Sequence, residues 1–363
     1  MLKIRQHIFK FMSTPLEILD RKIFQVNFSA CKTKRRKINS PIFGNRRDIT
    51  RDRFLTGSTS SKIIVILGPT ASGKSELAVK IAKRFNGEII SADSRQVYKE
   101  LNIGSGKITK KEMRGILHHL LDIVSPKKIF TVTQYQKLAK KALKDIIKRG
   151  KIPIICGGTG LYIDSLIYGQ KFPEVPPQPK LRTRLEKKTT EELFEQLKKI
   201  DPKRAKNIDR YNRRRLIRAI EIILITKKPV PSKNTIAYDS APYDILKIGI
   251  NVPKEKLKAR INQRVDKMIK LGLIHETKQL LKKYPAELPV FDAIGYREII
   301  DYLKGKATLS EATTLIKKNT WQYAKRQITW FKRDKNIYWI TEDKEATNLV
   351  KDFIGNLKGD NLL

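Results

Sequence analysis

One eight-residue stretch constrains this chain more than any other. Gly68-Pro69-Thr70-Ala71-Ser72-Gly73-Lys74-Ser75 fits the pattern G-x-x-x-x-G-K-S/T without a mismatch. It follows Ile63-Ile64-Val65-Ile66-Leu67, a β-branched run that reads as a buried strand. It precedes Leu77, Ala78, Ile81, Ala82 and Phe85 at helical spacing, so the loop sits between a strand and a helix. That context has a physical purpose. Glycines let the backbone curl until successive N–H groups point inward, and the start of the helix adds positive potential. Lys74 suits terminal phosphates, and the Ser75 hydroxyl suits Mg²⁺. A nucleoside triphosphate and a diphosphate ester offer such a loop the same oxygens.

The pattern continues as α/β. Glu88-Ile89-Ile90-Ser91-Ala92 reads as a second strand, and residues 133–149 read as a basic amphipathic helix with Tyr135, Leu138, Leu143, Ile146 and Ile147 apolar. Ile152-Pro153-Ile154-Ile155-Cys156 is a third strand, stopped by Gly157-Gly158. Alternating strands and helices predict a P-loop NTPase-like parallel sheet core flanked by helices. Phe172 to Pro179 is a proline-rich connector, and residues 180–228 are helical and highly charged until a strand at Tyr243–Ile250. Long helices are expected at 254–285 and 310–332, with a strand at Ile337–Ile340. The predicted organisation is a basic, disordered extension over 1–61, the first part of the core over 62–171, an inserted all-helical domain over 172–240, the second part of the core over 241–345, and a tail over 346–363.

Charge narrows the partner. The chain has 363 residues with 77 Lys+Arg against 36 Asp+Glu, a net charge of +41. Such an excess points to a polyanion such as nucleic acid. Residues 1–61 carry 14 basic and 4 acidic residues, so +31 belongs to the remaining 302. A hydrophobic share of 40% excludes a wholly disordered chain. No apolar run reaches the ~18 residues of a membrane span. Two cysteines, Cys31 and Cys156, cannot build a disulfide framework or a zinc site, which favours a reducing compartment. A cytoplasmic monomer is expected, or an organellar one if the basic leader is a transit peptide.

Further stretches, taken in order, resemble the tRNA dimethylallyltransferase (isopentenylpyrophosphate:tRNA transferase) family. They are GPTASGKS at 68–75, SADSRQVY at 91–98, HHLLD at 118–122, GGTGLY at 157–162, NRRRLIRAIE at 212–221, AIGYRE at 293–298 and TWQYAKRQITWF at 320–331. The resemblance implies transfer of a dimethylallyl group from dimethylallyl diphosphate to the exocyclic amine of the adenosine 3′ of a tRNA anticodon. It implies that Gly68 to Ser75 hold the donor diphosphate, with Mg²⁺ at Ser75. Asp93 matches the family carboxylate that accepts the amine proton, and Thr159 the family threonine after the third strand. Asp93, Ser94, Arg95, Gln96, Arg182, Arg214, Arg215, Leu216, Ile217 and Arg218 match positions that meet the tRNA anticodon stem-loop.

Blander readings stand beside these. Asp93 also reads as a strand-end turn residue or a Mg²⁺ ligand, and Thr159 as a helix cap. Lys325 and Arg326, between aromatics, suit unpaired nucleotides, whereas Trp321, Ala324 and Ile328 form a stripe that reads as core. His118-His119 reads as structural, because only four histidines exist and no cysteine lies nearby. Gly104-Ser105-Gly106-Lys107-Ile108 departs from the family's GTAKP, which predicts a more flexible loop. Two rival activities fit the phosphate loop: a prenyltransferase using free adenine nucleotide, and a P-loop nucleotide or small-molecule kinase. A non-enzymatic RNA-binding protein is the third alternative.

Overall fold

A computed structural model describes residues 61–173, 175–230 and 243–355. Apart from Ser61, the expected N-terminal extension lies outside them, as do residues 356–363 of the expected tail. The β-branched run forms strand β1 (Ser61–Leu67), buried on both faces, and the phosphate loop leads into helix α1 (Lys74–Arg84). Strand β2 (Gly87–Ala92), the short helix α2 (Lys110–Met113), the two-residue strand β3 (His118–His119), helix α3 (Val132–Lys148) and strand β4 (Ile152–Gly157) follow. Then come α4 (Gly160–Ile167), α5 (Pro179–Glu186), α6 (Thr190–Ile200), α7 (Pro202–Lys206) and α8 (Arg213–Thr226). Strand β5 (Tyr243–Ile250), α9 (Lys254–Lys270), α10 (Leu273–Lys283), α11 (Tyr296–Leu303), α12 (Leu309–Phe331), strand β6 (Ile337–Ile340) and α13 (Asp343–Gly355) complete the order.

All six strands are parallel, in the order β3-β2-β4-β1-β5-β6. The register decides where chemistry can occur. Gly157 pairs with both Leu67 and Ala92, so β1, β2 and β4 end level and their loops converge. Parallel sheets bind ligands at such carboxyl ends, where the strand order reverses.

Two apolar layers clamp the sheet. Val65, Tyr135, Leu143, Ile155, Tyr162 and Phe331 fill one face, and Ile64, Leu77, Ile81, Ile154, Ile248 and Val350 the other. A third cluster joins Val97 and Leu101 to Leu273, Phe291, Tyr296 and Ile316. Helices α5 to α8 have their own core of Leu185, Leu193, Leu197, Leu216 and Ile220.

Three expectations change. The helix foreseen over 254–285 is two, because Gly272 adopts a left-handed φ of 97° between α9 and α10. The tail set at 346–363 starts inside α13, whose Ala346 and Val350 are fully buried against the sheet. The loop at 104–108 is tied down rather than flexible. The Glu276 carboxylate accepts the N–H groups of Asn102, Ile103 and Gly104 at 3.1, 2.8 and 3.1 Å. Lys107 reaches the Tyr98 carbonyl at 2.8 Å and pairs with Asp122.

Candidate active site

The phosphate loop is curled by two left-handed residues, Ala71 at φ 61° and Gly73 at φ 97°. Gly73 is the N-cap of α1, where a side chain would strain the backbone. Lys74 Nζ donates to the Pro69 carbonyl at 3.2 Å. Burial pushes its pKa down and the Arg264 cation pushes the same way, against the pull of Cys156 and Asp93. Arg264 of α9 is itself lowered by burial and is attracted by Asp93. Its Nη2 donates to the Gly106 carbonyl at 3.4 Å, and Arg260 donates to the Ser72 carbonyl at 3.3 Å. Two guanidiniums and an ammonium thus gather around loop backbone, an arrangement that suits a polyanion.

Asp93 lies just beyond β2. Its Oδ1 accepts the N–H of Arg95 at 2.8 Å and of Gln96 at 3.3 Å, which fixes the turn. Among the described residues Oδ2 has no hydrogen-bond partner in the cleft. Turn-forming and reactive readings of Asp93 are therefore compatible, one oxygen serving each. Thr159 occupies the N-cap of α4, but its hydroxyl makes no cap bond. It accepts the Ser94 N–H at 3.1 Å instead, and Tyr323 stands within hydrogen-bonding reach. Burial pushes Tyr323 up to about 12, so its hydroxyl stays a neutral donor. The Cys156 thiol, pushed up to about 11 by burial, is an inert wall of the site.

A cleft of about 580 Å³ opens over Lys74, Asp93, Arg264 and Tyr323; Thr159 stands behind Ser94 and is not among the residues that line it. Thr70, Lys74, Ser75, Asp93, Ser94, Arg95 and Gln96 line it from the sheet side. Arg214, Arg264, Tyr323, Arg326 and Gln327 close it from the helices. Gln96 spends its amide donor on the Gly106 carbonyl at 3.1 Å, leaving its acceptor for a ligand. Lys325, one residue from Arg326, is exposed.

The arginine-rich stretch at α8 divides in two. Arg214 and Arg215 are exposed. Leu216 and Ile217 are buried in the helical core, so the expectation that their side chains meet RNA is corrected: periodicity turns them inward. Arg182 and Arg218 converge on the buried Glu221. Arg182 donates from Nε at 2.8 Å and Nη2 at 2.7 Å, and Arg218 from Nη1 at 2.6 Å. Arg218 also holds the Val175 carbonyl at 2.8 Å, and the Gln178 N–H reaches Glu221 at 2.7 Å. Arg182 thus ties α5 to α8, and Arg218 ties α8 to the proline-rich connector.

His119 pairs with the buried Glu88 at 2.7 Å, beside Arg149 and Lys151, which accounts for it structurally. Among the described residues no group of three or more His, Cys, Asp or Glu could hold a metal ion. Sequence reasoning missed Arg260, Arg264 and Gln327. Only the Gln327 signal lay inside a stretch singled out, TWQYAKRQITWF.

Fold and site together define a P-loop α/β protein with a cationic cradle beside a carboxylate, roofed by basic helices. A family model described as IPP transferase matches residues 96–334. The chain belongs to the IPP transferase family. It is 48% identical over 308 residues to a tRNA dimethylallyltransferase of a Thermoanaerobacter species, covering 82% of this chain and 98% of the relative. It is 45% identical over 300 residues to that of Anoxybacillus flavithermus, covering 82% and 96%. The crystal structure of a Bacillus halodurans tRNA isopentenylpyrophosphate transferase superposes with a TM-score of 0.61 at 38% identity, covering 82% and 96%. A eukaryotic dimethylallyltransferase captured acting on tRNA gives 0.68 at 31% identity, covering 82% and 80%.

Proposed function

We propose that this chain transfers the dimethylallyl group of dimethylallyl diphosphate to the exocyclic N6 amine of the adenosine 3′ of a tRNA anticodon. The observation that carries this reading is the shared cleft: the Asp93 carboxylate faces the same space as Lys74 and Arg264. A phosphate cradle alone would serve a kinase equally well. A carboxylate beside it answers the particular difficulty of an exocyclic adenine amine, which is a weak nucleophile until its proton is accepted.

The reaction balances simply. The N6–C1 bond forms as the bond from C1 to the diphosphate oxygen breaks. The electron pair leaves with diphosphate, and the amine proton passes to Asp93. Lys74 and Arg264 stabilise the charge growing on the leaving group. The Thr159 hydroxyl, anchored next to Asp93 by the Ser94 N–H, is assigned the role of donating toward donor or acceptor. Ser75, which offers a hard oxygen from the cleft wall, would help to hold Mg²⁺ beside a bound diphosphate. When bound it would neutralise phosphate charge.

The acceptor follows from the roof. Arg214 and Arg326 add cations on the helix side, beyond what a free nucleotide needs. The target base has to leave its stack to enter the cleft. Among the described residues no helix is long and apolar enough to cross a membrane. The reading places a monomer in the cytoplasm with its RNA; sedimentation and cell fractionation check both.

Single-turnover transfer by wild type and Asp93→Asn tests the assignment. The Asn side chain keeps an oxygen for the Arg95 and Gln96 amides, so the turn survives. Transfer falls about 10²–10⁴-fold with stem-loop affinity held within about twofold. Equal transfer by the variant contradicts the general-base role.

A further inference from the structure

Single exposed aromatics on a protein surface need no explanation. Tyr211 is different in its setting. It is 75% exposed, and its ring carries the Arg210 guanidinium at 5.3 Å. The same guanidinium lies over the Phe194 ring at 5.1 Å, so Arg210 is held by two rings at once. The turn beneath is ordered as well. Asp209 Oδ1 accepts the Tyr211 N–H at 3.2 Å, the Asp209 carbonyl accepts the Asn212 N–H at 3.0 Å, and the Tyr211 carbonyl accepts the Arg213 N–H at 3.2 Å. A large aromatic face is thus presented to water by a preorganised segment.

Its neighbours supply charge. Three residues on, the Arg214 side chain is 80% exposed, lines the cleft and meets Asp292 at 2.6 Å. Arg215 is exposed beside it. A ring stacked on guanidinium, with exposed guanidiniums three and four residues on of which one borders the cleft, matches single-stranded nucleic acid. Bases stack on aromatic faces while arginines take the phosphates.

We propose that Tyr211 is a stacking platform for one unpaired base of the RNA loop whose target adenosine enters the cleft, with Arg214 and Arg215 taking flanking phosphates. This inference rests on the RNA-acceptor reading above and adds a binding residue to it. Every base has a π-face, so the platform contributes affinity without choosing among loop sequences.

The test compares wild type, Tyr211→Ala and Tyr211→Phe for affinity toward an anticodon stem-loop RNA, alongside transfer and donor binding. Tyr211→Ala weakens RNA binding about 5- to 160-fold, the range of one base–aromatic stack. Tyr211→Phe stays within about twofold, and donor affinity is unchanged in both. The slope of log affinity against log salt is retained in Tyr211→Ala but falls by about 0.7 in Arg215→Ala, which loses a phosphate contact. Unchanged affinity in Tyr211→Ala overturns the platform, and so does equal loss in Ala and Phe variants. Stem-loop bound without transfer counts against the proposed reaction, while the Ala–Phe contrast still decides the stacking claim. RNA left unbound by wild type overturns both.

Discussion

Gln327 Oε1 accepts the backbone N–H of Thr70 at 2.8 Å, while its Nε2 donates to the Gly158 carbonyl at 2.9 Å. One buried side chain from α12 therefore joins the phosphate loop to the loop after β4. Gly158 has to be glycine for this, because a Cβ there would overlap Gln327 Nε2. Removing the amide leaves a half-buried donor and a buried acceptor unmatched, at about 1–3 kcal/mol. Gln327→Ala is expected to weaken donor binding about tenfold and to lower the melting temperature. Isothermal titration with dimethylallyl diphosphate and a thermal melt check this, and unchanged values contradict the bridge.

Gly160 packs against the Trp330 ring, which would overlap any Cβ placed there. Trp330 is fixed in turn by its indole N–H, donated to Asp164 at 2.9 Å. Gly160→Ala therefore overpacks a rigid contact and costs about 1–3 kcal/mol. Gly355, where an added methyl group would meet nothing within 4 Å among the described residues, is the control, and its Ala variant should stay within about 0.5 kcal/mol. Urea unfolding of the two variants measures the contrast.

Donor affinity should track the cationic cradle. Lys74→Ala and Arg264→Ala each remove a charge-assisted contact of about 1.5–3 kcal/mol, or about 10- to 100-fold in donor affinity. Stem-loop affinity should move far less for Lys74→Ala. A donor affinity unmoved by both substitutions refutes the diphosphate site.

Acid should loosen the helical insertion through Glu221. Burial alone would raise this carboxyl, but Arg182, the Gln178 N–H and Arg218 outweigh it and hold the pKa at about 2, against the usual 4.5. The unfolded chain binds that proton more readily, so stability is fully present above pH 4.5 and is lost as pH falls toward 2. Glu88, also held at about 2 by His119, Lys151 and Arg149, adds to the same window. Urea midpoints at about pH 5 and about pH 3 should differ less in Glu221→Gln than in wild type. An identical pH 5 to pH 3 drop in both proteins removes Glu221 from the account.

Much of the architecture was legible because it is local. The β-branched runs of β1, β2 and β4 and the 3.6-residue spacing of α1 and α3 announce themselves within a few residues. Strand β3 does not: it is two residues long and exists only through the pairing of His118 and His119 with Ile89 and Ile90. Helix α13 was hidden by polar residues around its few buried positions, Ala346 and Val350. The site divides along the same line. Lys74, Ser75, Asp93 and Thr159 follow strands at fixed offsets, so a motif finds them. Arg264 and Gln327 reach the cleft, and Arg260 the phosphate-loop backbone, only because α9 and α12 pack together around Leu257, Ile261 and Ala324. In a chain so rich in lysine and arginine, no local signal separates those two arginines from solvated ones. Arg182 and Arg218 illustrate the converse, since only the fold shows Glu221 between them.

The most direct measurement follows labelled dimethylallyl from its diphosphate, without ATP, into an unmodified tRNA with adenosine 3′ of the anticodon and, in parallel, into free AMP. The shared cleft of Asp93, Lys74 and Arg264 under a basic roof predicts label in the tRNA alone. Label in AMP alone, or in neither acceptor, would contradict it.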